Sequence, residues 1–202
     1  MGIPVKYDSS VQAVCIGASA GGTEALAAII PALPVDFPCI VVVQHILEGF
    51  AEMLAETLDA KSALDVHIAR NGERLKRGTV LIAGDGAQLR ICASSDGVGC
   101  AQVCQGESER VSGHCPSVDV LFESAAMLGP AAIGVILTGM GSDGSQGLLA
   151  MRRAGARTIG QDQESSAVYG MPKAAVLTGA VQKQVPLGRI AAQLVLMCRE
   201  AS

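Results

Sequence analysis

Tryptophan is absent from this chain, and aromatic residues make up only 2% of its 202 residues. The core must therefore be built from aliphatic side chains, which is consistent with a hydrophobic content of 50%. So few aromatic residues exclude the stacking platforms on which single-stranded nucleic acids bind. The formal net charge is −4 and no basic run occurs, so the electrostatic footprint of a nucleic-acid-binding protein is missing as well.

Long apolar runs and a basic N-terminal segment are also missing. No run of hydrophobic residues reaches the length of a membrane span, and residues 1–10 lack the pattern of a secretory signal. The seven cysteines are odd in number, and several lie inside apolar runs, as Cys15 does. We therefore expect a cytoplasmic protein with reduced thiols, no direct membrane insertion and no nucleic-acid partner.

What the sequence does contain is an alternation of short aliphatic runs with helical patterns. Strands are predicted at residues 11–16, 39–43, 132–137 and 157–160, and helices at residues 23–30, 50–58, 118–128, 146–154, 173–177 and 187–199. Ser117 is predicted to cap the third helix, with Val120 at the third helical position. The alternation predicts a doubly wound α/β fold, with a mainly parallel sheet and helices on both faces.

The middle of the chain has a different pattern. Four short segments there are rich in β-forming residues and separated by turn residues, at residues 66–69, 80–83, 89–93 and 99–103. We expect them to form a small inserted antiparallel or edge β section. Residues 11–200 are expected to form one domain after an N-terminal extension at residues 1–10.

A serine stands between the first predicted strand and the first predicted helix. The segment 17–21 matches the G-x-S-x-G pattern with Ser19 at its centre, a context that exposes a nucleophilic hydroxyl on a sharp turn. The helix start behind it offers N–H groups, with Ala20 and Gly21 as candidates, where an oxyanion would develop. Two alternatives are a degenerate dinucleotide-binding loop and a purely structural glycine turn.

Only three histidines are present to serve as a base for this serine. His67 alternates with apolar neighbours in a predicted strand, which favours a solvated position. His114 lies in a loop and is a candidate for lining the site. His45 follows a predicted strand at its carboxyl end, where open α/β sheets bind ligands, and is the preferred base. Its alternative is a polar residue satisfied at the edge of the core.

A buried carboxylate would complete such a catalytic set by orienting the base. Asp143 lies in the glycine-rich loop 138–144 after the third predicted strand. Its alternative is a turn aspartate that bonds its own backbone. Asp85, Asp119 and Asp162 are rivals, although Asp119 is predicted as a charge in the first turn of a helix and Asp85 as a turn residue. The order Ser, His, Asp differs from that of α/β-hydrolases.

A zinc site is the remaining chemistry to consider. Its ligands would come from Cys100, Cys104, His114 and Cys115. Paired C-x-x-C knuckles are missing, and adjacent His114 and Cys115 fit one tetrahedral ion poorly. We therefore expect no metal.

Five ordered segments that cover most of the chain carry a more specific pattern. They are residues 16–22, 43–45, 116–122, 137–144 and 160–162, the last followed by residues 169–172. Together they resemble the catalytic domain of the bacterial chemotaxis protein-glutamate methylesterases. The resemblance implies hydrolysis of glutamyl methyl esters on chemoreceptor cytoplasmic helices, deamidation of receptor glutamines, and no cofactor. By position it implies Ser19, His45 and Asp143 as catalytic residues and the Met140 N–H as an oxyanion donor.

The chain departs from the family pattern at positions that bear on its substrate. Ala20 stands where the family usually has threonine, Cys115 where it has arginine, and Gln88 where it has histidine. The first predicted strand begins at residue 11, so the receiver domain that many members carry is not expected in this chain. It is then a stand-alone form, a fragment, or an enzyme with a regulatory partner that replaces the receiver domain.

Three other functions remain as alternatives at this point. A related esterase or amidase would act on another protein or on a small ester. A non-catalytic signalling module would keep the fold without the chemistry. A nucleotide-binding oxidoreductase would use the glycine-rich loop for a dinucleotide.

Overall fold

Ten strands and six helices make up the computed structural model, which describes residues 10–93, 99–104 and 109–199. The strands are β1 (Ala13–Ala18), β2 (Cys39–Gln44), β3 (Asp65–Ile68), β4 (Glu73–Arg74), β5 (Thr79–Ile82), β6 (Gln88–Ala93), β7 (Gly99–Cys104), β8 (Ala132–Ile136), β9 (Arg157–Gln161) and β10 (Lys183–Val185). The helices are α1 (Gly22–Ile29), α2 (Ala51–Asp59), α3 (Val118–Ala125), α4 (Ser145–Arg153), α5 (Met171–Leu177) and α6 (Leu187–Met197).

Seven strands form one parallel sheet in the order β10-β9-β8-β1-β2-β5-β3. Helices α1, α2 and α6 pack on one face and α3, α4 and α5 on the other. Strand β1 lies in the middle and is buried along its whole length, with Ile16 facing the first helical layer and Cys15 the second. Parallel strands covered on both faces read as continuous apolar runs, which is why this class could be predicted.

The small antiparallel sheet has the order β4-β7-β6 and packs on α3, where the Ile91 N–H donates to Ser124 Oγ (2.9 Å). The predicted middle section was therefore right for residues 89–93 and 99–103, whereas residues 66–69 and 80–83 fall mainly in strands β3 and β5 of the parallel sheet. Strand β5 lies inside the parallel sheet, between β2 and β3. A short apolar run gives no sign of strand direction, and only the partner strand decides it.

The chain crosses the sheet in both directions from β1, because β2 lies on one side of it and β8 on the other. The register aligns Ala18 with Gln44 and Gly17 with Ile136, so these three strands end at one edge. Such a switch point opens a crevice at the carboxyl ends of the strands. In the described part of the chain, none of the helices has the length and apolar character needed to cross a bilayer.

Candidate active site

Ser19 and His45 are held side by side where β1 and β2 end. The His45 N–H donates to the carbonyl of Ala18 (3.0 Å), which continues the parallel ladder by one step. Gln44 is only 5% exposed, and its Nε2 donates to the carbonyl oxygens of Ser19 and His45 (2.8 Å each). The two residues also line one cavity of about 480 Å³. No described residue forms a hydrogen bond with the Ser19 hydroxyl.

Glycines fix the shape of the turn around Ser19. Gly21 has φ of 77°, which a residue with a Cβ rarely adopts, and it begins the turn into α1. A Cβ on Gly139 would lie 2.8 Å from the Ser19 Cβ, so the loop after β8 approaches the serine more closely than any other residue would allow. Met140 follows in this loop and has an exposed side chain. The N–H groups of Ala20, Gly21 and Met140 donate to no described residue.

The loop that carries Met140 is braced by the last two segments of the sequence pattern. Gln161 Oε1 accepts from the N–H of Thr138 (2.9 Å). The carbonyl of Gly139 accepts from the N–H groups of Gly170 (3.0 Å) and Met171 (2.8 Å). The residues around Gln161 and Gly170 therefore have a structural task at the site, which their sequence pattern alone did not reveal.

His45 and Asp143 are in direct polar contact at the site. Nε2 of His45 lies 2.8 Å from Oδ2 of Asp143, and the two side chains are 9% and 1% exposed. Nδ1 of His45 is buried and bonds to no described residue. The ring is thus used in the opposite sense to that of the trypsin-type triad, in which Nδ1 faces the aspartate. Nδ1 is the nitrogen left to take a proton.

Four donors surround the carboxylate of Asp143. In addition to His45, Oδ2 accepts from the Val118 N–H (2.8 Å), and Oδ1 accepts from Ser117 Oγ (2.8 Å) and the Asp119 N–H (3.0 Å). Burial alone would raise the pKa of Asp143, but these hydrogen bonds, led by that of His45, outweigh burial and lower it. The carboxylate is therefore held charged beside the imidazole.

The start of α3 supplies three of these donors. Ser117 is the N-cap and its Oγ accepts from the Val120 N–H (3.5 Å), as predicted, while the same hydroxyl donates to Asp143. The unpaired N–H groups of a helix start carry partial positive charge and favour a carboxylate. The sequence offered no sign that the acceptor would come from a loop more than twenty residues away.

Asp119 lies in the first turn of α3 as predicted, but it is buried and bonds to α4. Oδ1 accepts from the N–H groups of Gly147 (2.8 Å) and Gln146 (3.1 Å), and Oδ2 accepts from Ser112 Oγ (3.0 Å). Burial, joined by the negative charge of Asp143, raises the pKa of Asp119 despite these bonds. It makes no hydrogen bond to His45.

His114 stacks flat on the ring of His45. The ring centroids are 3.7 Å apart and the planes differ by 6°. Burial first, and the neighbouring His45 second, lower the pKa of His114 and favour its neutral form. Gln88 holds this loop, because its Nε2 donates to the His114 carbonyl (3.3 Å) and its Oε1 accepts from the Ser117 N–H (2.9 Å). The stack itself was not predicted.

A second cavity, of about 410 Å³, opens beside the two stacked rings. Its charged lining residues are Glu48, Asp85 and Arg110, and Cys115 lies among them. Burial raises the pKa of Cys115, opposed by the positive charge of Arg110. The departure at position 115 therefore lies in a cavity that His45 also lines and that still contains a guanidinium.

Each of the remaining rivals bonds to residues other than His45. His67 bonds to Glu73 (2.7 Å) and Asp65 (3.1 Å) near the sheet edge. Asp85 accepts from the Gly49 N–H (2.6 Å), and Asp162 accepts from Ser165 (2.6 Å). Among the residues that the structure describes, no three His, Cys, Asp or Glu side chains are grouped as a metal site would require; the side chain of Cys104 lies outside that set.

Comparison with known proteins identifies one family. Residues 14–194 match the family described as CheB methylesterase. A protein-glutamate methylesterase/protein-glutamine glutaminase of Syntrophomonas wolfei is 51% identical over 178 residues, which are 88% of this chain and 51% of that protein. The Bordetella pertussis protein of that description is 47% identical over 189 residues, 93% of this chain and 53% of that protein. The chain thus spans about half the length of these curated relatives.

A solved structure has the same fold. The crystal structure of the Thermotoga maritima CheB methylesterase catalytic domain superimposes with a TM-score of 0.88 at 37% sequence identity. The match covers 92% of this chain and 98% of that chain. The parallel sheet, the small antiparallel sheet and the helical layers described above are therefore those of that catalytic domain.

Proposed function

Because the chain belongs to the CheB methylesterase family, we propose that it hydrolyses methyl esters of glutamyl side chains on chemoreceptors and deamidates receptor glutamines. Ser19 is the nucleophile, His45 the general base and Asp143 the residue that orients the base. One observation carries the proposal. The imidazole of His45 bonds to a buried carboxylate through Nε2 (2.8 Å) and keeps Nδ1 for a proton, at the edge of the cavity that Ser19 lines.

In the first step, the Ser19 hydroxyl attacks the ester carbonyl and Nδ1 of His45 takes its proton. The Nε2–H of the imidazolium donates to Asp143, whose lowered pKa keeps it charged. The pair then shares the new positive charge without a proton leaving the ring for the carboxylate. The imidazolium finally protonates the departing methanol, or ammonia when the substrate is glutamine.

The negative oxygen that develops on the substrate needs donors beside Ser19. The N–H groups of Ala20, Gly21 and Met140 have no acceptor among the described residues, and Met140 directly follows Gly139, which approaches Ser19 closely. Preorganised donors of this type are worth about 10²–10³ in kcat each. In the second step, water attacks the acyl-enzyme with His45 as base, and Ser19 regains its proton.

His114 is a positioning residue in this scheme. Its ring covers one face of His45, which prevents the imidazole from rotating away from Asp143 and excludes water from that face. A neutral ring against an imidazolium is attractive, whereas two charged rings would repel each other. The lowered pKa of His114 favours the attractive combination.

Individual residues of the site argue against two alternative functions. A dinucleotide site would need an acid where β2 ends, and Gln44 stands there with its amide bonded to Ser19 and His45. A non-catalytic module would have no use for a buried carboxylate held charged against an imidazole. The substrates that we propose are cytoplasmic parts of receptors, and we therefore propose a cytoplasmic location; a regulatory partner stays a prediction.

Methanol release from a methylated receptor fragment tests the proposal. Ser19→Ala is expected to reduce release to background, whereas the matched control Ser142→Ala, on the exposed part of the 138–144 loop, should retain it. Mass spectrometry of the fragment distinguishes loss of a methyl group from conversion of glutamine to glutamate. Undiminished release by Ser19→Ala would refute the assignment.

A small p-nitrophenyl ester separates the chemistry from recognition of the substrate. If the wild type hydrolyses both substrates and Ser19→Ala hydrolyses neither, both the receptor substrate and the nucleophile are supported. Hydrolysis of the small ester alone would instead favour a related esterase, in which Cys115 and Arg110 line a cavity for another substrate.

A further inference from the structure

Two thiols face each other across the antiparallel hairpin of β6 and β7. Cys92 lies directly opposite Cys100 in the register of this pair. Directly opposite residues of antiparallel strands project their side chains from the same face of the sheet. The pair is separate from the catalytic residues and takes no part in the proposed reaction.

The backbone hydrogen bonds of Gly99 define how close the two residues lie. Gly99 donates its N–H to Gln12 Oε1 (2.9 Å) and accepts from the Leu75 N–H (3.0 Å), so both of its backbone groups point away from β6. Gly99 therefore forms a non-hydrogen-bonded pair with Ala93. Non-hydrogen-bonded and hydrogen-bonded pairs alternate along an antiparallel ladder, so the next pair, Cys92 with Cys100, is hydrogen-bonded, with Cα atoms about 5.5 Å apart. This is the usual Cα separation of a disulfide.

Both sulfurs lean into the gap between the strands. Cys92 Sγ lies 3.5 Å from the carbonyl oxygen of Cys100, and Cys100 Sγ lies 3.6 Å from the carbonyl oxygen of Cys92. Both side chains are partly exposed, whereas Cys15 and Cys39 are buried. Burial raises the pKa of Cys15 and raises that of Cys39 to about 11. An oxidant in solution therefore reaches the hairpin pair before the thiols of the parallel sheet.

We propose that Cys92 and Cys100 form a reversible oxidation site for hydrogen peroxide. One sulfur attacks a peroxide oxygen, the O–O bond breaks, and a sulfenic acid and one water are formed. The second sulfur then attacks the sulfenic sulfur, forming the S–S bond and releasing a second water. The two electrons lost by the thiols reduce the peroxide, so no other co-reactant is needed, and a dithiol reverses the change by exchange.

Peptide mapping of the peroxide-treated whole chain tests the site. Remaining thiols are alkylated, and trypsin releases residues 91–110 as one peptide because Arg90 and Arg110 precede its two cleavage points. The peptide contains Cys92, Cys100 and Cys104. We expect it to lose two hydrogen atoms and to carry one alkyl group. Treatment with dithiothreitol before alkylation should restore three alkyl groups.

Serine variants decide which cysteines pair. Cys104→Ser is the matched control and should still form the internal disulfide, whereas Cys92→Ser and Cys100→Ser should not. Circular dichroism confirms that each variant is folded. An internal disulfide that survives in Cys100→Ser would overturn the assignment. So would a hairpin that stays reduced at a peroxide concentration that oxidises Cys115.

Discussion

Two buried aspartates, Asp143 and Asp119, are arranged reciprocally at the starts of two neighbouring helices. Asp143 lies just before α4 and accepts N–H bonds from the start of α3. Asp119 lies in the first turn of α3 and accepts N–H bonds from the start of α4. Each carboxylate therefore receives two backbone donors from the helix that begins next to the other.

The two carboxylates nevertheless differ in the direction of their pKa shifts. The pKa of Asp143 is lowered, and Asp143 has one kind of donor that Asp119 lacks, the imidazole N–H of His45. The pKa of Asp119 is raised, because burial and the charge of Asp143 prevail over its hydrogen bonds. A helix start alone thus does not lower the pKa of a buried carboxylate in this core, whereas a helix start together with the imidazole of His45 does.

Asp143→Asn should reduce activity more than any other single substitution in either helix start. Each carboxylate oxygen of Asp143 accepts one backbone N–H, so an amide turned either way leaves one of these donors against its NH₂ group. An amide also cannot balance the imidazolium of His45. We expect kcat for methanol release to fall by about 10⁴, as for the loss of the orienting aspartate in other triads.

Asp119→Asn is the matched control for that experiment. It removes the same charge from the other helix start and leaves the backbone N–H that Asp143 accepts. We expect kcat to change by less than about tenfold, the equivalent of 1.4 kcal/mol. Equal losses in the two variants would mean that the helix junction, and not the contact with His45, limits the reaction.

Sequence patterns predicted most of the fold because they depend on local properties. Buried parallel strands such as β1 and β8 are continuous aliphatic runs, and helices such as α2 have a periodic apolar face. The segment around residue 80 was placed in the wrong sheet, since the direction and neighbour of a short apolar strand are set by tertiary pairing. The class of fold was confirmed by the match to the catalytic domain of known structure.

The site was predictable only where a motif lies in one continuous stretch. Ser19, His45 and Asp143 follow strand ends, and their roles stay predictions, of which Ser19→Ala and Asp143→Asn test the first and the third. The stack of His114 on His45 brings together residues that are far apart in the sequence. So do the hydrogen bonds from the start of α3 to Asp143 and from the start of α4 to Asp119. No periodicity or spacing in one sequence encodes such contacts.

His114→Ala should produce the second largest loss of activity, because it removes the ring that stacks on one face of His45, the proposed base. Stacked ring pairs contribute about 0.5–1.5 kcal/mol beyond burial, so we expect kcat to fall roughly 2- to 12-fold with KM unchanged. His114→Phe keeps a flat ring and should restore most of the loss. If the phenylalanine variant were as slow as the alanine variant, the ring nitrogens and not the stack would matter. His67→Ala, at a distant histidine, should leave kcat unchanged.

Ser117→Ala tests whether the α3 start holds Asp143 through a side chain as well as through its backbone. The variant loses the N-cap of α3 and one donor to Asp143, whereas α4 has no side-chain cap at Gly144 to lose. The loss of such a cap lowers the free energy of unfolding by about 1 kcal/mol. Urea unfolding measures it, with Ser142→Ala expected to change stability by less than about 0.5 kcal/mol. No difference between these serines would show that the backbone donors suffice.

The stability contributions of Asp119 and Asp143 should depend on pH in opposite directions, although the effect is small. The raised pKa of Asp119 means that its contribution is present below the ordinary value of 3.8 and is lost as pH rises through the folded pKa. The lowered pKa of Asp143 has the opposite effect: its contribution is present above 3.8 and is lost as pH falls through its folded pKa.

Asp119→Asn resembles the protonated form of Asp119. As pH rises above 3.8, urea unfolding should therefore show that the free energy of unfolding of the variant increases relative to that of the wild type. The net difference at neutral pH should stay under about 1 kcal/mol, because the amide oxygen keeps the N–H bonds of α4. A difference that does not vary with pH would mean that Asp119 keeps its ordinary pKa, and that the helix start alone can hold a buried carboxylate.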